Sequence, residues 1–373
     1  MQAAREKEKR DFLVLDAGDL LFKKFIAPIP ENDLNMVTDK TQLIIESFNL
    51  MGYDAVGIGD DDLSLGKEFL LEISKKANFP FLSSNIVSEE SGKLLFQPYL
   101  IRKINDLRIG IFSLIAPDIF PSQSDIRKKG LAIQSHIETA QKMVKELQPK
   151  TDLIILLSHL GYPKDIELAQ TVPGIHMIVG GHTGINLVTP PTLKNTLIVQ
   201  MGPKGMYIGR LNLTFYSNEY NFFNSSEKVA LENSLKHFKE RVLTAEMAEI
   251  EGWYQNNFLQ YSRISNTTRL YHIKFPEDFG QTLKDLVAFL RAQDLEKSKS
   301  LRTKVKEEAE KILIQLQDKN EFTNGIFTLN DMIHDHPEIG KMIEAYRSKY
   351  PGLEKPASSR SEAPRPVVGT PRK

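Results

Sequence analysis

Short apolar runs in this chain repeatedly end in side chains able to bind a metal. FLVLD (12–16) leads to Asp19, and DAVGIG (54–59) leads to Asp60, Asp61 and Asp62. FPFLSS (79–84) is followed by Asn85, LIILLS (153–158) by His159, and IHMIVG (175–180) by Gly181 and His182. Two imidazoles with the carboxylates of Asp19 and Asp60 make a borderline-hard N/O donor set, suited to Zn, Mn or Fe rather than Ca or Cu(I). Each piece alone has an ordinary reading. A Gly-Asp after a strand is commonly a turn, and a strand-end histidine is more often hydrogen-bonded within the fold than metal-bound. The Asp60–Asp62 run suits a helix N-terminus, where carboxylates stabilise by ~0.3–1 kcal/mol. The conjunction of four such residues, each after an apolar run, points to one site.

The elements that must position them follow from the pattern. LRIGIFSLI (107–115) and TLIVQM (196–201) are further apolar runs, and YIGRLNLTFY (207–216) alternates with period two, as a half-exposed strand does. Helical patterns fall at about 33–51, 65–77, 134–148 and 164–171. Strands alternating with helices indicate an α/β domain. In a sheet with crossover connections the C-terminal strand ends share one edge, where ligands bind. That edge brings Asp19, Asp60, His159 and His182 together. After residue 216 two amphipathic helical patterns cover about 227–255 and 281–317, with apolar residues at steps of three and four. The expected division is a catalytic domain over 1–216, a helical accessory region over 217–350 and a disordered Pro/Ser-rich tail over 351–373.

DAGD (16–19), MGYDAVGIGDDDLSLG (51–66), SSN (83–85), LSHLG (157–161) and GGHTG (180–184) occur in an order that resembles the calcineurin-like metallophosphoesterases. The subgroup of nearest resemblance is the 5′-nucleotidase and UDP-sugar hydrolase type, and NTLIVQMGPKGMYIGRLNLTF (195–215) resembles the end of that catalytic domain. The resemblance implies a four-layer α/β/β/α sandwich that hydrolyses small phosphate esters, nucleotides among them, with metal-activated water. It assigns Asp19 as the metal-bridging carboxylate, His159 and His182 as ligands of the second metal, and Asp60 as a ligand where the family has Asn. Asp61 stands in place of the family's proton-donating histidine and is the candidate catalytic acid; Asn85 is the candidate substrate contact, with a structural cap as the competing reading. Gly184 replaces a first-metal histidine, and residues 1–10 contain neither Asp nor His. The cofactor expectation is therefore a divalent transition metal (Zn, Mn or Fe) with about one tight site. The alternative is a catalytically impaired relative that serves as a binding or assembly scaffold.

Composition narrows the partners. Lys+Arg and Asp+Glu both number 48, so no net basic field is available to gather nucleic-acid polymers. There is no cysteine, which excludes thiolate zinc sites and cysteine nucleophiles. The expected partner is a small phosphate-ester substrate, with no nucleic-acid polymer and no membrane span. Self-association or a protein partner would use the helices at 227–317. MQAAREKEKRDF is not a secretory signal, so periplasmic or extracytoplasmic localisation is expected only if the natural N-terminus carries one.

Overall fold

The computed structural model describes residues 12–22, 28–122, 124–258, 279–330, 333 and 335–351. They divide between two compact units, one within Met1–Pro191, Ile198–Gly209 and Ile326–Lys373, the other within Thr192–Leu197 and Arg210–Gly325.

In the first unit, β1 (Leu15–Asp16), β2 (Ala55–Gly57) and β3 (Phe81–Leu82) form a parallel sheet in that order. The helices between them, α1 (Leu34–Met51) and α2 (Gly66–Ser74), bring Ile45, Leu70 and Ile73 onto Val56 and Phe81. α1 stops at Gly52, whose left-handed φ of 71° lets its N–H reach back to the Phe48 carbonyl at 3.0 Å. β4 (Ile86–Ser88) pairs antiparallel with β7 (Leu131–Ile133). The longer sheet contains β5 (Tyr99–Ile104), β6 (Leu107–Ile115), β8 (Leu153–His159), β9 (Met177–Gly180) and β11 (Thr196–Gln200) in the order β11-β9-β8-β6-β5. β6, β8 and β9 run parallel, linked by α3 (His136–Leu147) and α4 (Tyr162–Thr171). All of β8, LIILLSH, is buried, as expected of an interior strand in a parallel sheet.

The two sheets face each other across Gly57. A Cβ there would lie 2.7 Å from Ser113 Oγ in β6 and 3.3 Å from Leu157 Cβ in β8. On the far side α3 covers β6, with Leu147 side-chain carbons 3.3 Å from the Cβ position of Gly110. The architecture is the α/β/β/α sandwich. Asn85 sits in its interior: its Nδ2 donates to the Ile115 carbonyl at 2.7 Å and its Oδ1 accepts from Ile115 N–H at 3.1 Å. It thereby pins the end of β6. α9 (Pro337–Lys349) also belongs to this unit, because Tyr346 OH donates to the Met36 carbonyl at 3.1 Å and Tyr350 OH donates to Asp39 at 2.7 Å on α1.

The second unit holds the antiparallel pairing of β10 (Thr192–Leu193) with Thr196–Leu197, and the parallel pairing of β13 (Phe222–Asn224) with Asn320–Phe322 of β14 (Asn320–Thr328). β12 (Tyr207–Thr214) lies on the other side of β14. The expected helix over 227–255 is two helices, α5 (Ser225–Arg241) and α6 (Met247–Trp253). Its break exposes the carbonyls of Val242 and Ala245, which the Arg302 guanidinium takes up. The second expected helix is likewise two, α7 (Phe279–Arg291) and α8 (Leu295–Gln317). Gln293 turns the chain at φ 57°, and the Asp294 side chain caps α8 by accepting from Lys297 N–H at 3.1 Å. Leu235, Phe238, Leu283, Leu286, Val305 and Ile312 form the core of this unit. Apart from Pro351, the proposed disordered tail lies outside the described residues. Among the described residues no helix is long and apolar enough to cross a membrane.

Candidate metal centre

β1 and β2 run parallel and end side by side, so the loops after them leave the sheet together. Their approach is very close: a Cβ at Gly18 would collide with the Gly59 nitrogen. Asp62 ties the loops to each other. Its buried carboxylate accepts from the N–H groups of Asp19, Leu20, Leu21 and Gly59, each at 2.9 Å. Burial, with the charge of Asp19, pushes its carboxyl up to about 7 against these donors, which occupy its lone pairs. Asp19 itself takes a left-handed φ of 60° and accepts from Asp61 N–H at 2.9 Å. Two loops separated by some forty residues are thus one hydrogen-bonded piece.

β8 delivers His159 beside this piece. The ring is fixed from behind by a 2.8 Å contact between Nδ1 and the Ala17 carbonyl. Its Nε2 then lies 3.2 Å from Asp19 Oδ2 and 3.4 Å from Asp60 Oδ1. The loop after β9 brings His182, at φ 66°, with Nδ1 3.5 Å from the same Asp60 oxygen. Gln200 holds that loop through its Nε2, which donates to the Gly181 carbonyl at 3.3 Å and to Thr183 Oγ1 at 3.2 Å. One ligand atom from each of Asp19, Asp60, His159 and His182 lies within 4.8 Å of every other. Asp60 Oδ1 and His159 Nε2 are both buried and face each other at 3.4 Å without a well-formed hydrogen bond, an arrangement that a cation shared between them would satisfy better. The donor set and these two atoms fit a divalent transition metal.

The electrostatics agree. Burial opposes charge on His159, but the carboxylates of Asp19 and Asp60 hold its pKa up at about 10. Burial also opposes charge on Asp60, yet His159, His182 and Arg127 keep it far below the usual carboxylate range. With no ion bound, the imidazolium supplies the positive charge that the carboxylates require.

Asn85 is fully buried and its side chain serves the backbone of β6 instead of joining this cluster. Asp61 is beside the cluster but ion-paired: Arg127 Nη1 donates to Asp61 Oδ1 at 2.9 Å and to Asp60 Oδ2 at 2.8 Å. Arg127 and its own anchor, Asp125, are absent from the sequence expectations, as is the role of Asp62. The available signal was the Asp60–Asp62 run, since three adjacent buried carboxylates demand compensation.

Gly59 is where the packing is least forgiving. A Cβ there would collide with Asp19 Oδ1 and lie 2.7 Å from His159 Cε1. Gly59→Ala is expected to lower the stability of the metal-free protein by about 1–3 kcal/mol, the usual range for overpacking. A thermal melt indistinguishable from wild type would show that these loops yield more freely than the geometry allows.

A search against family models finds no match. Individual relatives are nonetheless clear. The 5′-nucleotidase of Vibrio cholerae is 30% identical over 252 residues, covering 59% of this chain and 44% of the relative. Protein UshA of Escherichia coli K12 is 30% identical over 276 residues, covering 64% of this chain and 48% of the relative. The chain carries a metallophosphoesterase domain of the 5′-nucleotidase type. Among solved structures, the sulfate thiohydrolase SoxB of Thermus thermophilus aligns with TM-score 0.50 and 26% identity over 57% of this chain and 38% of that one. This metallophosphoesterase domain spans somewhat less than half the length of the two curated relatives.

Proposed function

We propose that the domain hydrolyses small phosphate esters, with nucleotides as the favoured class, at a single divalent metal held by Asp19, Asp60, His159 and His182. The observation that carries this reading is the convergence of those four donors around two buried ligand atoms without a well-formed hydrogen bond. A bound divalent ion there would supply an activated water and charge stabilisation for the phosphoryl group. The chain's own residues do the rest. Asp62 fixes the two acidic loops, the Ala17 carbonyl sets the His159 ring, and Gln200 sets the loop of His182. Asp61, paired to Arg127, is assigned to charge balance instead of proton donation.

The test is hydrolysis of nitrophenyl phosphate and of a nucleoside monophosphate by the full chain, after chelation and then with Mn(II) or Zn(II) restored. Turnover should depend on the metal and fall to background in His159→Ala. Turnover that survives both chelation and that substitution would place the chemistry elsewhere.

A further inference from the structure

Arg127 is a buried, multiply paired cation beside the metal centre, and the sequence shows no motif around it. It sits in the short turn Ile126–Lys128 with its side chain only 4% exposed. Asp125 clamps one edge of the guanidinium, with Nε to Oδ1 at 3.0 Å and Nη2 to Oδ2 at 2.9 Å. The Phe120 ring lies against it, 5.2 Å from Cζ to the ring centroid. So held, Arg127 presents Nη1 to Asp60 Oδ2 at 2.8 Å and to Asp61 Oδ1 at 2.9 Å. The other oxygen of Asp60, Oδ1, is the one that faces His159 at 3.4 Å and His182 at 3.5 Å. The two oxygens of one carboxylate therefore have different tasks.

We infer that Arg127 is a positioning residue that decides which atom of residue 60 faces the metal, and that it makes a carboxylate obligatory there. This rests on the metal centre proposed above. A carboxylate has two acceptor oxygens, so it can take the arginine N–H on one and present the other to a cation. A carboxamide has one acceptor oxygen and one donor nitrogen. Opposite a fixed N–H donor, the amide oxygen turns to Arg127 and the NH₂ group turns to the site, where it cannot serve as a ligand. The reverse orientation sets two donors against each other at about hydrogen-bond distance. Arg127 thus excludes an otherwise adequate ligand of nearly the same size and shape.

The inference gives an unusual genetic expectation: a second substitution should repair the first. Calorimetric titration of the full chain with Mn(II) should show Asp60→Asn binding at least about tenfold more weakly than wild type. Combining it with Arg127→Met removes the competing donor. Combining it with Arg127→Gln offers a carbonyl to the amide NH₂ and keeps a polar neighbour for Asp125. Either double variant should regain about tenfold or more over Asp60→Asn alone. Asp60→Asn with wild-type affinity overturns the inference, and so do double variants that melt cooperatively but bind no better than the single. Should neither double variant fold, the single variant decides. Wild-type protein that takes up no Mn(II) or Zn(II) overturns the metal centre itself, and that result is read from the wild-type titration alone.

Discussion

Dialysed protein loaded with Mn(II) or Zn(II) should retain about one ion per chain, and His182→Ala should retain none. One set of donors converges among the described residues, and it supplies four ligand atoms, enough for a transition metal with room for water or a phosphate oxygen. His182 is the preferred variant because its side chain is 39% exposed, so its removal leaves no buried cavity. His159→Ala should abolish binding too, but it also strips the buried carboxylates of their imidazolium and will lower stability. Gly184→His is not a simple route to a second ion. Gly184 has φ 63°, a region that side chains rarely occupy, and a Cβ there would press to 3.2 Å from Pro203. Elemental analysis of dialysed protein decides the count. Two equivalents would mean further ligands, and none would mean that the four donors hold no ion.

Metal uptake near neutral pH should release about one proton, and apparent affinity should climb about tenfold per pH unit until His159 has titrated. A histidine must be neutral to ligate, whereas His159 without an ion is held as imidazolium by Asp19 and Asp60, with its pKa raised from 6.5 to about 10. The sign for stability follows. A raised pKa in the folded state means that His159 contributes fully below about pH 6.5, its unfolded value, and loses that contribution as pH rises through 10. The metal-free melting temperature should therefore fall across the same window in which metal affinity rises. Calorimetry at pH 7 in buffers of different ionisation enthalpy measures the proton count directly. A slope of zero would show that His159 is already neutral or does not ligate.

Asp19, Asp60, His159 and His182 could be grouped in the sequence because each follows an apolar strand. A single shared sheet edge was the wrong reason, since β1 and β2 belong to one sheet and β8 and β9 to the other, and the four meet where the two sheets face each other. LRIGIFSLI was legible in full: β6 occupies Leu107–Ile115. The supports of the site were much harder to read. Arg127 reaches Asp60 and Asp61 across more than sixty residues from a turn with no strand before it, so neither spacing nor periodicity marks it. Asp62 looked like one more ligand candidate in an acidic run, because its four partners are backbone N–H groups, which leave no trace in residue identity. Asn85 could be named as a polar strand-end residue, but whether its amide meets substrate or backbone depends on β6, some thirty residues away. The two long helical patterns were visible as apolar stripes. Their breaks were not, since at Val242 and Ala245 the deciding partner is Arg302, from a different helix. β14 falls inside the 217–350 region expected to be helical, and its pairing with β13 joins segments about a hundred residues apart.

The Asp62 carboxylate also has a kinetic meaning. Four N–H groups from two loops are gathered on it by hydrogen bonds that need no ion, so folding alone can carry Asp19 and Asp60 to their places. Fixing a residue's backbone costs about 1–2 kcal/mol in entropy, and here that cost falls on folding and not on ion capture. Association then requires only that solvent be shed and the imidazole lose its proton, with no ordering step to slow it. An ion stripped by a chelator would leave behind the same walls, ready for a different ion. The identity of any metal held there would accordingly follow the supply around the protein, with exchange governed by how fast each ion departs.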